Sequence, residues 1–258
     1  MKALYIKGGG WSIAFAFGVI HYLLEYHEDK LRSWKWAGWS AGSLAALHML
    51  CILNDNDERT PLRRHQDAME YWFENTVRRS TKRAILNNWG DKWLEYFVHI
   101  GLVRNPHIYQ LANEKIHIGL TRLDPGIIPK PVGEIIKEFK SNAHMMEVSY
   151  HSCYTPGFMQ RPAISLNKWQ GDGRSRYDGL YFENKVMLSD EYPKEDILVV
   201  GRRGDGQTNI SPSFSVFGVR PLLSVFDITP KTRYLFEMYD NGYHQAKKFD
   251  DNPSYGIK

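Results

Sequence analysis

The 258-residue chain is 43% hydrophobic and 24% charged, enough apolar matter to bury a sizeable core, which excludes disorder as its main state. A formal charge of +4, from 33 Lys and Arg against 29 Asp and Glu, is too mild for a nucleic-acid binder. Cys51 and Cys153, without Cys-x-x-Cys spacing, support neither a disulfide framework nor a structural metal, and they fit a reducing, cytoplasmic compartment.

Ala3 to Ile6 is a β-prone run, followed by Gly8, Gly9 and Gly10 and then by Ile13 to Tyr26, apolar on nearly every side. A helix hydrophobic all round belongs in the middle of a fold. Three glycines interrupt this opening and no small-residue cleavage site follows, so it does not read as a signal peptide. No apolar run reaches the roughly 20 residues that span a bilayer.

Trp34 to Gly38 reads as a second strand and Ala41 to Leu53 as a second helix. The order strand, helix, strand, helix predicts parallel strands and an α/β class. Thr60 to Ser80 reads as an amphipathic helix. Between Arg59 and Arg83, seven basic residues stand against three acidic ones, a surplus equal to the whole net charge. Two readings stay open: a solvated helix face, or docking on anionic lipid with Met69, Tyr71, Trp72 and Phe73 at the headgroup level.

Asp91 to Ile100 reads as a helix and Ile116 to Leu120 as a strand ended by Asp124, Pro125 and Gly126. Pro131 to Phe139 and Asn142 to Tyr154 read as helices, Ile164 to Leu166 and Arg176 to Asp178 as short extended pieces, Ile197 to Gly201 as a strand, and Thr232 to Phe249 as a closing helix. No repeat or linker divides the chain, so 1–258 reads as one domain.

Gly38-Trp39-Ser40-Ala41-Gly42 is a Gly-x-Ser-x-Gly pentapeptide between an expected strand and an expected helix. That context is what a nucleophilic serine requires: a tight, strained turn, glycines where strand and helix crowd, and a helix N-terminus aimed at the developing anion. Gly8-Gly9-Gly10 offers main-chain N–H groups for an oxyanion. A nucleotide site fits poorly, since Ile13 stands where Gly-x-Gly-x-x-Gly needs its last glycine and no Gly-Lys-Ser/Thr follows.

The serine needs a base. Only two strands precede Ser40, which badly serves an α/β-hydrolase with its Ser-His-Asp triad, and His244 reads as a surface residue. A carboxylate bonded to the serine is the alternative, and Asp172, Asp178 and Asp205, each followed by glycine, are not separated by pattern.

Together, the glycine loop, the early Gly-x-Ser-x-Gly and a late Asp-Gly resemble the patatin-like phospholipase family. Ile116 to Arg122 resembles a strand of its adipose triglyceride lipase branch, Ser152-Cys153-Tyr154-Thr155-Pro156 the segment before the catalytic Asp, Tyr177-Asp178-Gly179-Leu180 the Asp-Gly-Gly/Ala motif, and Glu237 to Tyr243 the Gly-Tyr helix. The resemblance implies a three-layer α/β/α sandwich with a mainly parallel sheet, a Ser40–Asp178 dyad, and an oxyanion hole from Gly8, Gly9, Gly10 and Trp11. Gly38, Gly42 and Gly179 complete the motifs, and Asn184, six residues after Asp178, selects that carboxylate over Asp172 and Asp205. It implies no metal or cofactor. The substrate would be a phospholipid or acylglycerol, and the location cytoplasmic, peripheral at membranes or lipid droplets. Ser12 and Ile13 replace the family's Arg/Lys and Gly, and Leu180 replaces Gly or Ala, which would narrow the site or shift its loop. A membrane- or partner-binding relative without turnover is the alternative reading.

Overall fold

The computed structural model describes residues 1–55, 57–77, 89–124, 130–154, 175–182, 184–201, 208–212, 232–254 and 256–257. Strand β1 (Ala3–Ile6) leads through the glycine loop into α1 (Ile13–Tyr26), followed by α2 (Glu28–Ser33), β2 (Lys35–Trp39) and α3 (Ala41–Asn54). Then come α4 (Pro61–Tyr71), continued by a π-helical turn (Trp72–Val77), α5 (Trp89–His99), α6 (Ile108–Lys115), β3 (Ile116–Asp124), β4 (Lys130–Ile136) and α7 (Asn142–Cys153). Strands β5 (Ser175–Tyr177), β6 (Ile197–Val200) and β7 (Asn209–Ile210) and helix α8 (Thr232–Asp250) complete the described elements.

Among the described residues seven strands form one sheet in the order β4-β3-β2-β1-β6-β7, with β5 also on β3. Strands β3, β2, β1, β6 and β7 run parallel, whereas β4 and β5 run antiparallel to β3. This is the expected α/β class with a mainly parallel sheet. Alternation along the strands sends Leu4, Ile6, Trp36, Ile118 and Val200 to the face packed by the helices. Ala3, Tyr5, Ala37, Trp39 and Val199 go to the other, where Phe182, Met187 and Leu188 meet them. Burial on both faces is why these strands read as unbroken apolar runs.

One expectation is overturned. The stretch expected as a helix from Pro131 to Phe139 is the edge strand β4, paired from Lys130↔Asp124 to Ile136↔Ile118. Its Pro131 is tolerable on a sheet edge, and Val132, Ile135 and Ile136 are β-branched. Segment 164–166 lies outside the described residues, as do Arg78, Arg79, Lys82 and Arg83.

The basic segment is also corrected where it is described. Met69, Trp72 and Phe73 are buried in the core, so they do not lie at a headgroup level. Arg59 is ion-paired with Asp57 and Asp67, and Arg63 with Asp67. Arg64 is buried and donates to the carbonyls of Asp55 and Asp57.

Helices α1 and α8 cross backbone to backbone. A Cβ on Gly18 would collide with the Tyr239 carbonyl, and one on Gly242 with the Phe15 carbonyl. Around this crossing runs a buried polar chain. Tyr96 Oη bonds His48 Nδ1 at 2.7 Å, His48 Nε2 bonds His65 Nδ1 at 2.7 Å, and His65 Nε2 bonds Tyr239 Oη at 3.1 Å. Tyr239 in turn bonds His21. Burial pushes His48 down to about 3 and His65 well below its ordinary value, so both are held neutral.

Two stability outcomes follow from this packing. Gly242→Ala should lower stability by about 1–3 kcal/mol or more, read as a drop in urea midpoint, because the colliding atom is backbone. For the histidines, an unfolded pKa near 6.5 and a depressed folded pKa make their contribution complete above about pH 6.5. It is lost as pH falls from there towards 3, at about 1.4 kcal/mol per pH unit for each histidine. Urea unfolding between pH 7.5 and 5 should show that slope, and a His48→Gln protein a shallower one.

Candidate functional site

Ser40 joins β2 to α3 at φ 50° and ψ −132°. Side chains other than glycine avoid this region, at a cost of about 1–3 kcal/mol. Crowding enforces it. A Cβ on Gly38 would strike the Gly42 carbonyl, and one on Gly42 the Ile6 carbonyl, so strand, turn and helix meet through glycine backbone. The Ser40 side chain makes no capping bond to its helix. Its carbonyl accepts from Ser43 Oγ at 2.7 Å, and its N–H donates to Ser152 Oγ at 2.8 Å.

The glycine loop presses on this turn. A Cβ on Gly8 would lie 2.5 Å from the Trp39 ring and 2.8 Å from Ser40 Cβ. Gly9 (φ 150°) and Gly10 (φ 56°) take left-handed backbone, and Ser12 N–H donates to the Gly9 carbonyl at 3.1 Å, turning the chain into α1. The N-terminal ends of α1 and α3 therefore come together at the carboxyl edge of neighbouring parallel strands, where two positive dipole ends favour an anion. Trp11 is buried, its ring 6.3 Å from that of Trp72.

Asp178 follows β5 and precedes the 3₁₀ turn Gly179–Phe182. The next residue brings its segment to Ser40: a Cβ on Gly179 would lie 2.5 Å from Trp39 Cβ and 2.6 Å from the Gly119 carbonyl oxygen. Asp178 N–H donates to the Tyr154 carbonyl at 2.8 Å, and Thr121 Oγ1 donates to the Asp178 carbonyl at 2.6 Å. The same Thr121 oxygen accepts from Tyr181 N–H at 3.2 Å. One strand upstream, buried Arg176 grips Glu134 of β4 through Nε at 2.6 Å and Nη2 at 3.2 Å. Cys153 lies behind the site, its Sγ 3.9 Å from Ser43 Oγ. Burial, and then the Asp178 charge, push this thiol well up, so it is an inert neighbour.

The glycine loop, the serine turn and the Asp178-Gly179 segment are thus brought together. Among the described residues no hydrogen bond joins the Ser40 and Asp178 side chains; the two segments meet through Trp39 and Gly179. Asp172 and Asp205 lie outside the described residues. Asn184 and His244 are exposed. Leu180 is 63% exposed, standing outward rather than narrowing the space beside Ser40. Two residues lie in segments that the resemblance names but have roles there that sequence reasoning misses. Ser152 accepts from Ser40 N–H and donates to the Gly119 carbonyl at 2.7 Å, and Thr121 suspends the Asp178 turn. The signal for those roles is a hydroxyl inside otherwise buried elements.

No family model and no curated protein matches the chain. Among solved structures it is similar to VipD from Legionella pneumophila, at 12% identity and a TM-score of 0.48, over 96% of this chain and 66% of that one. It is also similar to a chain of the heterodimeric ExoU–SpcU complex from the type III secretion system of Pseudomonas aeruginosa, at 13% identity and a TM-score of 0.43, over 96% of this chain and 52% of that one. The chain thus spans less than two thirds of the length of either. At these identities and scores neither likeness bears on the chemistry.

Ser152→Ala removes the acceptor of a buried main-chain donor at the strained turn. It should destabilise by about 1–3 kcal/mol, measurable as a lower urea midpoint, whereas Ser149→Ala, which removes only an intrahelical bond to the Met145 carbonyl, should cost less.

Proposed function

We propose that the protein is a serine-dependent lipid acyl hydrolase of the patatin-like kind, a phospholipase A or acylglycerol lipase, with Ser40 as nucleophile and Asp178 as base. The observation that carries the reading is Ser40 itself: a non-glycine residue held at φ 50° between strand and helix, with the glycine loop against its Cβ and its side chain not spent on capping. Strain of this kind persists where surroundings impose it, and it clusters at reactive residues.

In the proposed cycle the Asp178 carboxylate takes the Ser40 Oγ proton as Oγ attacks the ester carbonyl carbon. Negative charge moves to the carbonyl oxygen, facing the N–H groups of Gly9, Gly10 and their neighbours Gly8 and Trp11. Collapse breaks the bond to the alkoxide, which leaves with the proton from Asp178, and the acyl group remains on Oγ. Water, deprotonated by Asp178, then frees the fatty acid and restores Ser40. The converging ends of α1 and α3 support the anionic intermediate.

Among the described residues no hydrogen bond joins Ser40 to a histidine. His21, His48 and His65 are taken up in the core chain, and His244 is exposed. The triglyceride-lipase branch suggested by Ile116 to Arg122 gains no support from the comparisons. The reading as a binding relative without turnover draws on the absence, among the described residues, of a hydrogen bond between the Ser40 and Asp178 side chains, and it predicts no ester hydrolysis above a Ser40→Ala control.

Ser40→Ala and Asp178→Asn should each lower hydrolysis of a chromogenic acyl ester by about 10³-fold or more while the far-ultraviolet circular dichroism stays native. A fluorophosphonate should label the peptide holding Ser40. A folded protein without that adduct would remove the nucleophile from the scheme. Gly9→Ala, at a main-chain angle only glycine takes freely, should depress kcat by about 10²- to 10³-fold with a smaller change in KM, because its N–H meets charge present only in the transition state.

A further inference from the structure

Immediately beyond Asp178 the surface turns apolar. Leu180 is 63% exposed and Tyr181 37%. The Tyr181 ring lies on the edge strand, where a Cβ on Gly133 would collide with it. Alternation along β4 puts Ile135, 42% exposed, on the same side as Gly133, while Glu134 points to the opposite side and holds Arg176. Lys185 Nζ sits 3.8 Å over the Tyr181 ring and donates to its hydroxyl at 2.6 Å. Lys130, exposed at the start of β4, is close enough for its charge to act on the same phenol. The described carboxylates nearby are spoken for, Glu134 by Arg176 and Asp124 by Arg122.

We propose that Leu180, Tyr181 and Ile135, flanked by Lys130 and Lys185, form the surface by which the protein docks on an anionic lipid layer. Its position rests on the acyl-hydrolase reading of the neighbouring site, since Leu180 is two residues from Asp178 and a docked layer would meet the site directly. Charge complementarity selects the occupant. Apolar side chains at the acyl boundary with lysines at the phosphates are the arrangement that anionic lipid favours. A second copy of the chain is disfavoured, because a two-fold contact across this patch would gather four lysines of like charge into one interface. The Arg59 segment is excluded from the role for its described part, where the basic groups are paired and the aromatics buried.

The test is sedimentation of the Ser40→Ala protein with vesicles of phosphatidylcholine alone or mixed with phosphatidylserine, at low and high salt. Without turnover, the readout is independent of the chemistry. Lys130→Gln with Lys185→Gln should weaken binding to the mixed vesicles about 30-fold, the equivalent of two surface lysines, and flatten the salt dependence. Leu180→Ser with Ile135→Ser should weaken binding several-fold on both vesicle types. Unfolding midpoints within a few degrees of the parent establish that both double variants are folded. No binding of the parent to mixed vesicles overturns the proposal, as does binding that ignores both double changes. A parent that dimerises in solution and becomes monomeric on the Leu180 and Ile135 changes, with vesicle binding unaltered, overturns it in favour of a second copy. Soluble-ester turnover, assayed separately with Ser40 intact, separates the two readings: its absence alongside intact vesicle binding sinks the hydrolase and leaves the docking surface standing.

Discussion

Backbone contact at the β2–α3 junction is the constraint from which the site derives. Gly42 lies against the Ile6 carbonyl and Gly38 against the Gly42 carbonyl, so α3 starts closer to β1 and β2 than any side chain would permit. The chain can make that entry only by passing Ser40 through a conformation other residues avoid. Strain is tolerable there because what surrounds it is buried and stiff. Helix α3 is buried along nearly its whole length, and α1, which begins at the glycine loop, is locked to α8 by the Gly18 and Gly242 crossing.

The aspartate side is built on a different principle. Strand β5 has three residues, pairing with Thr121, Arg122 and Leu123 of β3, too few to fix a loop by main-chain bonds alone. Side chains complete the work: Thr121 bonds both Asp178 and Tyr181, and Arg176 binds Glu134 across the strands. A hydroxyl that donates to one carbonyl and accepts from one N–H sets the turn's direction, and the buried fork of Arg176 prevents β5 from sliding.

What could be read from the sequence follows from the range of the forces involved. Helix α1 and strands β1, β2 and β6 are legible because burial on both faces leaves unbroken apolar runs, and the turn at Ser40 is legible because its glycines are local. Strand β4 is misread because an edge strand is half solvated, so Pro131, Gly133 and Glu134 carry no alternation strong enough to oppose a helical reading. Ser152 lies 112 residues from Ser40 and Thr121 lies 57 from Asp178, and no pattern within a window reports a bond of that span. Of the described basic residues from Arg59 onward, Arg59 and Arg63 are paired with Asp57 and Asp67, and adding charges along the chain ignores which of them pair.

The two halves meet where Gly179 touches Trp39 and Gly119, and this contact governs how serine and carboxylate can approach each other. Ser40 is fixed to the helices, whereas Asp178 hangs from β3, and both depend on Gly119: its carbonyl accepts from Ser152, which holds Ser40, while Gly179 packs on the same peptide. A shift of β3 relative to β2 would therefore move the carboxylate and release the serine turn together. Strand β3 pairs parallel with β2 from Ile116 to Gly119, pairs antiparallel with β4 from Ile118 to Asp124, and is buried as far as Thr121. The buried part of β3 ends at Thr121, which carries the aspartate turn, and the residues that hold Ser40 lie in the core. Those on the Asp178 side are set by a turn held on a few hydrogen bonds, from Thr121 to the Asp178 carbonyl, from Tyr181 N–H to Thr121 and from Asp178 N–H to the Tyr154 carbonyl.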